Sequence, residues 1–220
     1  MALSKLQFNS INVTPSASEG IRFNSGANGF ETASAGGKLT LIKTTALASA
    51  AASISFVDGA SDVVLDGTYK EYIFYFNNIH PATDNAKLTF QASTDTGSNY
   101  GVTITSTRFY AFHRENDATP NFEYDTSEDL AQSTDFQNVT GGIGNGNDEV
   151  GNGYIHLFNP SSTTFVKHFI VNANSLHGLD GSLNAFTAGY YNSTSAIDAI
   201  QFKMSSGNID AGTISMYGVL

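Results

Sequence analysis

Residues Ile200–Leu220 read IQFKMSSGNIDAGTISMYGVL. Ile200, Phe202 and Met204 alternate with polar neighbours, then Ser205 to Gly212 collect turn-forming residues, then Ile214 and Met216 resume the alternation. A period of two puts every second side chain on one face of an extended strand, whereas a helix needs spacings of three and four. The stretch therefore reads as a last hairpin, with Ile214 and Met216 in a core and Tyr217 on the other face. Its second strand is expected to close a sandwich, so that removal of Thr213 to Leu220 prevents folding. Attachment to any larger assembly then falls to the opposite end of the chain.

The same alternation recurs upstream. In KEYIFYF, Tyr72, Phe74 and Phe76 share one face, and Ile73 and Tyr75 the other. A strand apolar on both faces lies centrally in a sandwich or has one face in a subunit contact. AKLTFQASTDTGSNYGVTITS reads as a hairpin, with Leu88, Phe90 and Ala92 facing one way, Asp95 to Asn99 turning, and Val102 and Ile104 resuming the face. GYIHLFNPSSTTFVKHFIV repeats the pattern around Asn159-Pro160-Ser161-Ser162, where Pro160, lacking an N–H, belongs in the turn. NAFTAGYYNSTSAIDAIQFKM supplies two more strands around Asn192 to Ser195. From Leu39 onward about ten to twelve short strands follow one another, the spacing of an all-β antiparallel sandwich of jelly-roll type. Residues 39–220 are expected to form that domain. Residues 1–38 carry apolar side chains only at isolated points and read as an extended N-terminal arm ending at Gly36-Gly37.

Composition narrows the function classes. The 220 residues include 16 Phe and 10 Tyr, enough for a large core, yet only 14% are charged. That is well below the roughly 25% of ordinary soluble proteins, so Ser, Thr, Asn and Gly must form much of the surface. The net charge is −10. Nucleic-acid binding needs clustered Lys and Arg to displace counterions, and an anionic membrane surface would repel such a chain. With no Cys, disulfides, thiolate metal sites and Cys nucleophiles are excluded. MALSKLQFNSINV has no apolar core of a signal peptide, and ALASAAASISFV is too short and Ser-rich to span a bilayer. Synthesis in a cytoplasm without export or membrane insertion is expected. The sequons at Asn12, Asn138 and Asn192 then read as surface composition rather than glycosylation sites.

Four groups of residues bear chemistry. In GGIGNGNDEVGNG, Asn147, Asp148 and Glu149 offer oxygen ligands of the kind calcium takes, but the Asp is misplaced for the nonapeptide calcium repeat and nothing repeats, so the loop reads as a flexible connection between strands and no metal is expected. HRENDATPNFEYDTSEDL gathers Glu115, Asp117, Glu123, Asp125, Glu128 and Asp129. A pair of carboxylates can cleave a glycosidic bond, but the stretch equally reads as a solvated loop, and no residue takes a catalytic role. His156 and His168 fall in paired strands without metal-binding spacing. Tyr100, Tyr110, Tyr190 and Tyr191 lie beside turns, where they suit either glycan stacking or simple packing. No cofactor is expected.

Several phrases together resemble one family: MALSKLQF, IRFNSGANGFETASAGGKLTLIKT, YKEYIFYFNNIHPATDNAKLTFQASTDTGSNY, IHLFNPSSTTFVKHF and NSTSAIDAIQFKMSSGNIDAGTISMYGV. The chain resembles virion structural proteins of tailed phages, especially marine and cyanobacterial ones, over nearly its whole length. The resemblance implies a jelly-roll-like module on the virion exterior, commonly a trimer, serving as a fibre, tail appendage or capsid decoration. The phrases are strand and turn phrases, so they transfer no functional residue. The expected protein is a non-enzymatic fibre or tail-appendage module. Its arm buries Leu3, Leu6, Phe8, Ile21, Phe23 and Phe30 against other virion proteins, and its end loops contact host glycan. A capsid cement protein and a glycan-degrading spike are the alternatives.

Overall fold

The computed structural model describes residues 19–23, 25–26, 28–34, 39–118 and 120–220. The chain divides between Thr40 and Leu41 into two compact units. In the first, β1 (Glu19–Phe23) pairs antiparallel with β2 (Phe30–Ser34), placing Ile21 opposite Thr32 and Phe23 opposite Phe30. The expected arm thus contains a hairpin. Alternation of Ile21 and Phe23 across so short a run was too sparse to reveal it. Leu3, Leu6 and Phe8 lie outside the described residues.

The second unit is a β-sandwich. Its larger sheet has the order β3 (Leu39–Ala46), β14 (Ile209–Val219), β5 (Glu71–Pro81), β10 (Gly151–Phe158), β11 (Lys167–His177), β12 (Gly181–Tyr191), β7 (Ile104–Arg114), β8 (Asn121–Tyr124). The smaller sheet runs β4 (Ile54–Val57), β13 (Ala199–Met204), β6 (Leu88–Ser93), β9 (Gln137–Asn138). A jelly roll in the strict sense has eight strands in two Greek keys. Here the sheets hold eight and four strands, and β10, β11 and β12 follow one another within one sheet, so the jelly-roll expectation reduces to a two-layer antiparallel sandwich.

The inward faces are those that the alternation marked. Tyr72, Phe74, Phe76, Phe202, Ile214 and Met216 are completely buried. Rings from the two sheets interlock: Phe202 of β13 lies 5.5 Å from Phe74 of β5, and Phe90 of β6 meets Phe169 of β11 edge-on at 5.1 Å. The edge-to-face pairing of Phe90 and Phe169 suits the ring quadrupoles as well as burying area.

Two expected hairpins are corrected. The β10–β11 pair is a hairpin around Pro160, with Leu157 opposite Phe169. In contrast, β6 to β7 and β13 to β14 each cross from one sheet to the other, as does β12 to β13. The two kinds of connection share the same inward alternation and the same polar punctuation. What separates them is the burial of the outward face. All six residues of β6 are buried, so it takes an interior position between β13 and β9. The C-terminal strand likewise lies inside its sheet, between β3 and β5, and does not occupy an edge.

A bulge runs across β10, β5 and β14, where the registers shift at Gly151/Gly153 and at Ala211/Thr213. Asn78 sits there at φ 52° and Gly212 at φ 124°. Asn tolerates the left-handed region better than bulkier residues do. At Gly212 a Cβ would lie 2.8 Å from the Asn78 carbonyl oxygen, so a side chain does not fit. The bulge shifts the phase of β5, which buries Phe76 and then Ile79.

Candidate functional surface

The outer face of the eight-stranded sheet is the most distinctive surface of the sandwich. One register row carries Ser215, Tyr75, Tyr154, Asn172, Phe186, Phe109 and Tyr124 across seven strands. The rings form two groups. Tyr75 lies 6.0 Å from Tyr154 and 5.6 Å from Tyr217, while Phe109 stacks on Phe186 at 5.1 Å and meets Phe122 at 5.6 Å. Ile170, 47% exposed, lies beside the row, and Phe122 is 71% exposed. Sequence reasoning found the Tyr75 end of this face in KEYIFYF. It did not find the Phe109 end, because β7, β8 and β12 are brought together only by pairing.

The acidic stretch supplies a second feature, a cleft of about 260 Å³ lined in part by Lys87, Arg108, Tyr110, Glu123, Asp125, Glu128 and His177. Arg108 is buried on the inner side of β7. Its Nη1 and Nη2 donate to the carbonyls of Asn138 and Thr140 at 3.1 and 2.9 Å. Nη2 also lies 3.2 Å from Glu128 Oε2, and Nε 3.4 Å from Asp125 Oδ2. Lys87 Nζ pairs with the other oxygen of Glu128. The carboxylates are thus directed at cations rather than at each other, and the knot ties β7 to the segments around 125–128 and 138–140. Removing one partner from such a group leaves an uncompensated buried charge, which is strongly destabilising. Glu123 instead accepts a hydrogen bond from the Tyr110 hydroxyl. That bond, with burial, pushes the Tyr110 hydroxyl up to about 12. The same bond, with one to Asn121, holds the Glu123 carboxyl below its ordinary range.

The expected glycan tyrosines do not make one platform. Tyr191 is completely buried, 5.4 Å from Phe169, and cannot touch a sugar; that assignment is corrected. Burial raises its hydroxyl well above the ordinary value. Its neighbour Tyr190 points outward, 5.8 Å from His168, because adjacent strand residues face opposite sides. Tyr110 faces the cleft, and Tyr100 lies half-buried in the connection between β6 and β7. His156 bonds Glu71 at 2.9 Å.

The Gly-rich loop is pinned to the bulge. His80 Nε2 lies 3.0 Å from the Gly146 carbonyl oxygen, and its Nδ1 3.5 Å from Asp210. The Glu149 carboxylate accepts from the Gly146 N–H, so it turns back on its own loop. Asn147 and Asp148 line an open depression of about 510 Å³ with His80 and Asp210. Among the described residues no group of three or more His, Asp and Glu is arranged to hold a metal ion.

Sequence reasoning also missed a buried cation. Lys167 is fully buried at the start of β11, and its Nζ donates to the carbonyls of Ser193 and Ser195 at 2.9 and 2.6 Å. Burial lowers its pKa. It closes the crossing from β12 to β13, and no local pattern around FVKHF announces that role. Among the described residues no helix is long and apolar enough to cross a membrane. No family model, no curated protein and no solved structure matches the chain.

Proposed function

We propose that this chain is a non-enzymatic structural protein of a tailed-phage virion, a fibre or tail-appendage module held to the particle by its N-terminal unit. The observation that carries the reading is the β1–β2 hairpin. Phe23 and Phe30 stack at 4.9 Å on one face with Ile21 and are 67%, 46% and 43% exposed, respectively. A two-stranded hairpin alone is marginal in water, so an exposed apolar face on one suits a segment that docks on another protein. The low-charge surface and the virion-like strand phrases support the same reading. The sandwich then faces outward from the particle, where Tyr100, Tyr110 and Tyr190 are the tyrosines left to meet host glycan. Assembly in the host cytoplasm before release goes with this placement.

Deleting residues 1–38 tests it. The truncated chain is expected to keep its β-sheet circular dichroism but to be lost from purified particles. Normal incorporation of the truncated chain overturns the proposal. Copy number separates the two virion placements, since a cement protein covers the head in many copies and an appendage protein is present in few.

A further inference from the structure

We infer that the outer face of the eight-stranded sheet is the surface through which this chain associates with a second copy of itself. The chain carries −10 overall, and copies so charged repel one another at long range. Contact is then favourable only where the meeting surfaces are neutral, with charge pushed to the margin. This face has that character. On the seven strands beyond β3, from Thr213, Ser215 and Tyr217 of β14 to Phe122 and Tyr124 of β8, no outward-facing Asp, Glu, Lys or Arg interrupts the central rows. Glu71 stands at the margin, paired with His156.

Size supports the same occupant. Six inter-strand spacings of about 4.8 Å and about 20 Å along the strands give a face of roughly 600 Å². Two such faces in contact bury about 1,200 Å², the lower end of a specific protein interface. Its make-up is also that of an interface centre, in which Tyr and Phe are enriched and charge is depleted. Asn152, Asn172 and Asn184 are spaced among the rings and supply hydrogen-bonding groups that a copy of the same face can meet. Sheets pack face to face at about 10 Å with strands nearly aligned, an arrangement open to two copies of one β face.

This inference stands apart from the virion reading, and its test uses the purified full chain. Sedimentation or light scattering is expected to give a multiple of the 23.4 kDa chain mass at micromolar concentration. Raising salt from about 10 mM to about 150 mM should tighten the association, because the Debye length falls from about 30 to about 8 Å and the mutual repulsion is screened. Tyr154→Lys and, separately, Ile170→Glu place charge on exposed positions of the face and are expected to weaken association at least tenfold while circular dichroism is unchanged. Ser49→Lys, an exposed loop change, should leave the mass as it was. Nitration of Tyr75 and Tyr154 should slow as concentration rises, a readout that needs no variant. A chain that stays monomeric throughout, or an oligomer that keeps its mass in both variants with those tyrosines unprotected, overturns the inference.

Discussion

Replacing Phe202 by Ala tests the inter-sheet core most directly. Phe202 is completely buried, and its ring lies 6.1 Å from Phe56, 5.5 Å from Phe74 and 6.5 Å from Phe90. Phe56 and Phe90 belong to the smaller sheet and Phe74 to the larger, so the ring is a junction between layers. Truncating a buried Phe costs about 3–5 kcal/mol through lost transfer and the cavity left behind. Ring pairs add about 0.5–1.5 kcal/mol each, which places this site at the upper end, about 5 kcal/mol. A domain is stable by only about 5–15 kcal/mol, so a third or more of the total is at stake. At this chain length the melting temperature should fall by about 10–20 °C. The chain has no Trp, so guanidinium unfolding is best followed by far-UV circular dichroism, with variants compared at one protein concentration. Phe202→Leu, which leaves a smaller void, should cost about 1–2 kcal/mol. Lys203→Ala, one residue away, removes only an ammonium 3.9 Å from the Phe136 ring and should cost about 1 kcal/mol or less. If Phe202→Ala costs under about 2 kcal/mol with an unchanged denaturant slope, the ring is not the junction described.

Two further outcomes follow from named groups. Asp95 accepts from the Ser93 hydroxyl at 2.6 Å and from the Asn99 amide groups at 2.9 and 2.7 Å. These bonds, that from Ser93 first, hold its pKa at about 2 against an ordinary 3.8. A carboxyl depressed on folding stabilises the native state above its unfolded pKa and loses that contribution as pH falls through the folded value. The stability gap between the native chain and Asp95→Asn should therefore close between about pH 4 and pH 2 when unfolding midpoints are compared, and a gap equal at pH 2 and pH 5 refutes the assignment. Tyr191→Phe removes a buried hydroxyl that lacks a hydrogen-bond partner, so stability should hold or rise by about 1 kcal/mol, and any glycan binding should be untouched. A loss above that size would reveal a bond to Oη.

The alternation in FKM and TISM showed by itself that these runs are strands and which of their residues turn inward, because the period of a strand is local chemistry, while EYIFYF, apolar on both faces, left its inward face open. It likewise marked the Pro160 turn, where one residue lacks a donor. Partner choice was not local. Whether β13 turns back on β14 or crosses to it depends on what covers each strand's outward face, and β6 joins the small sheet because residues far along the chain bury both its sides. The same holds for Tyr191, whose position beside a turn reads as exposed until β12 is placed in its sheet. Arg108 and Lys167 show the limit most plainly. A cation is buried only where distant carboxylates or carbonyls converge on it, and that convergence exists only once the two sheets have closed on one another.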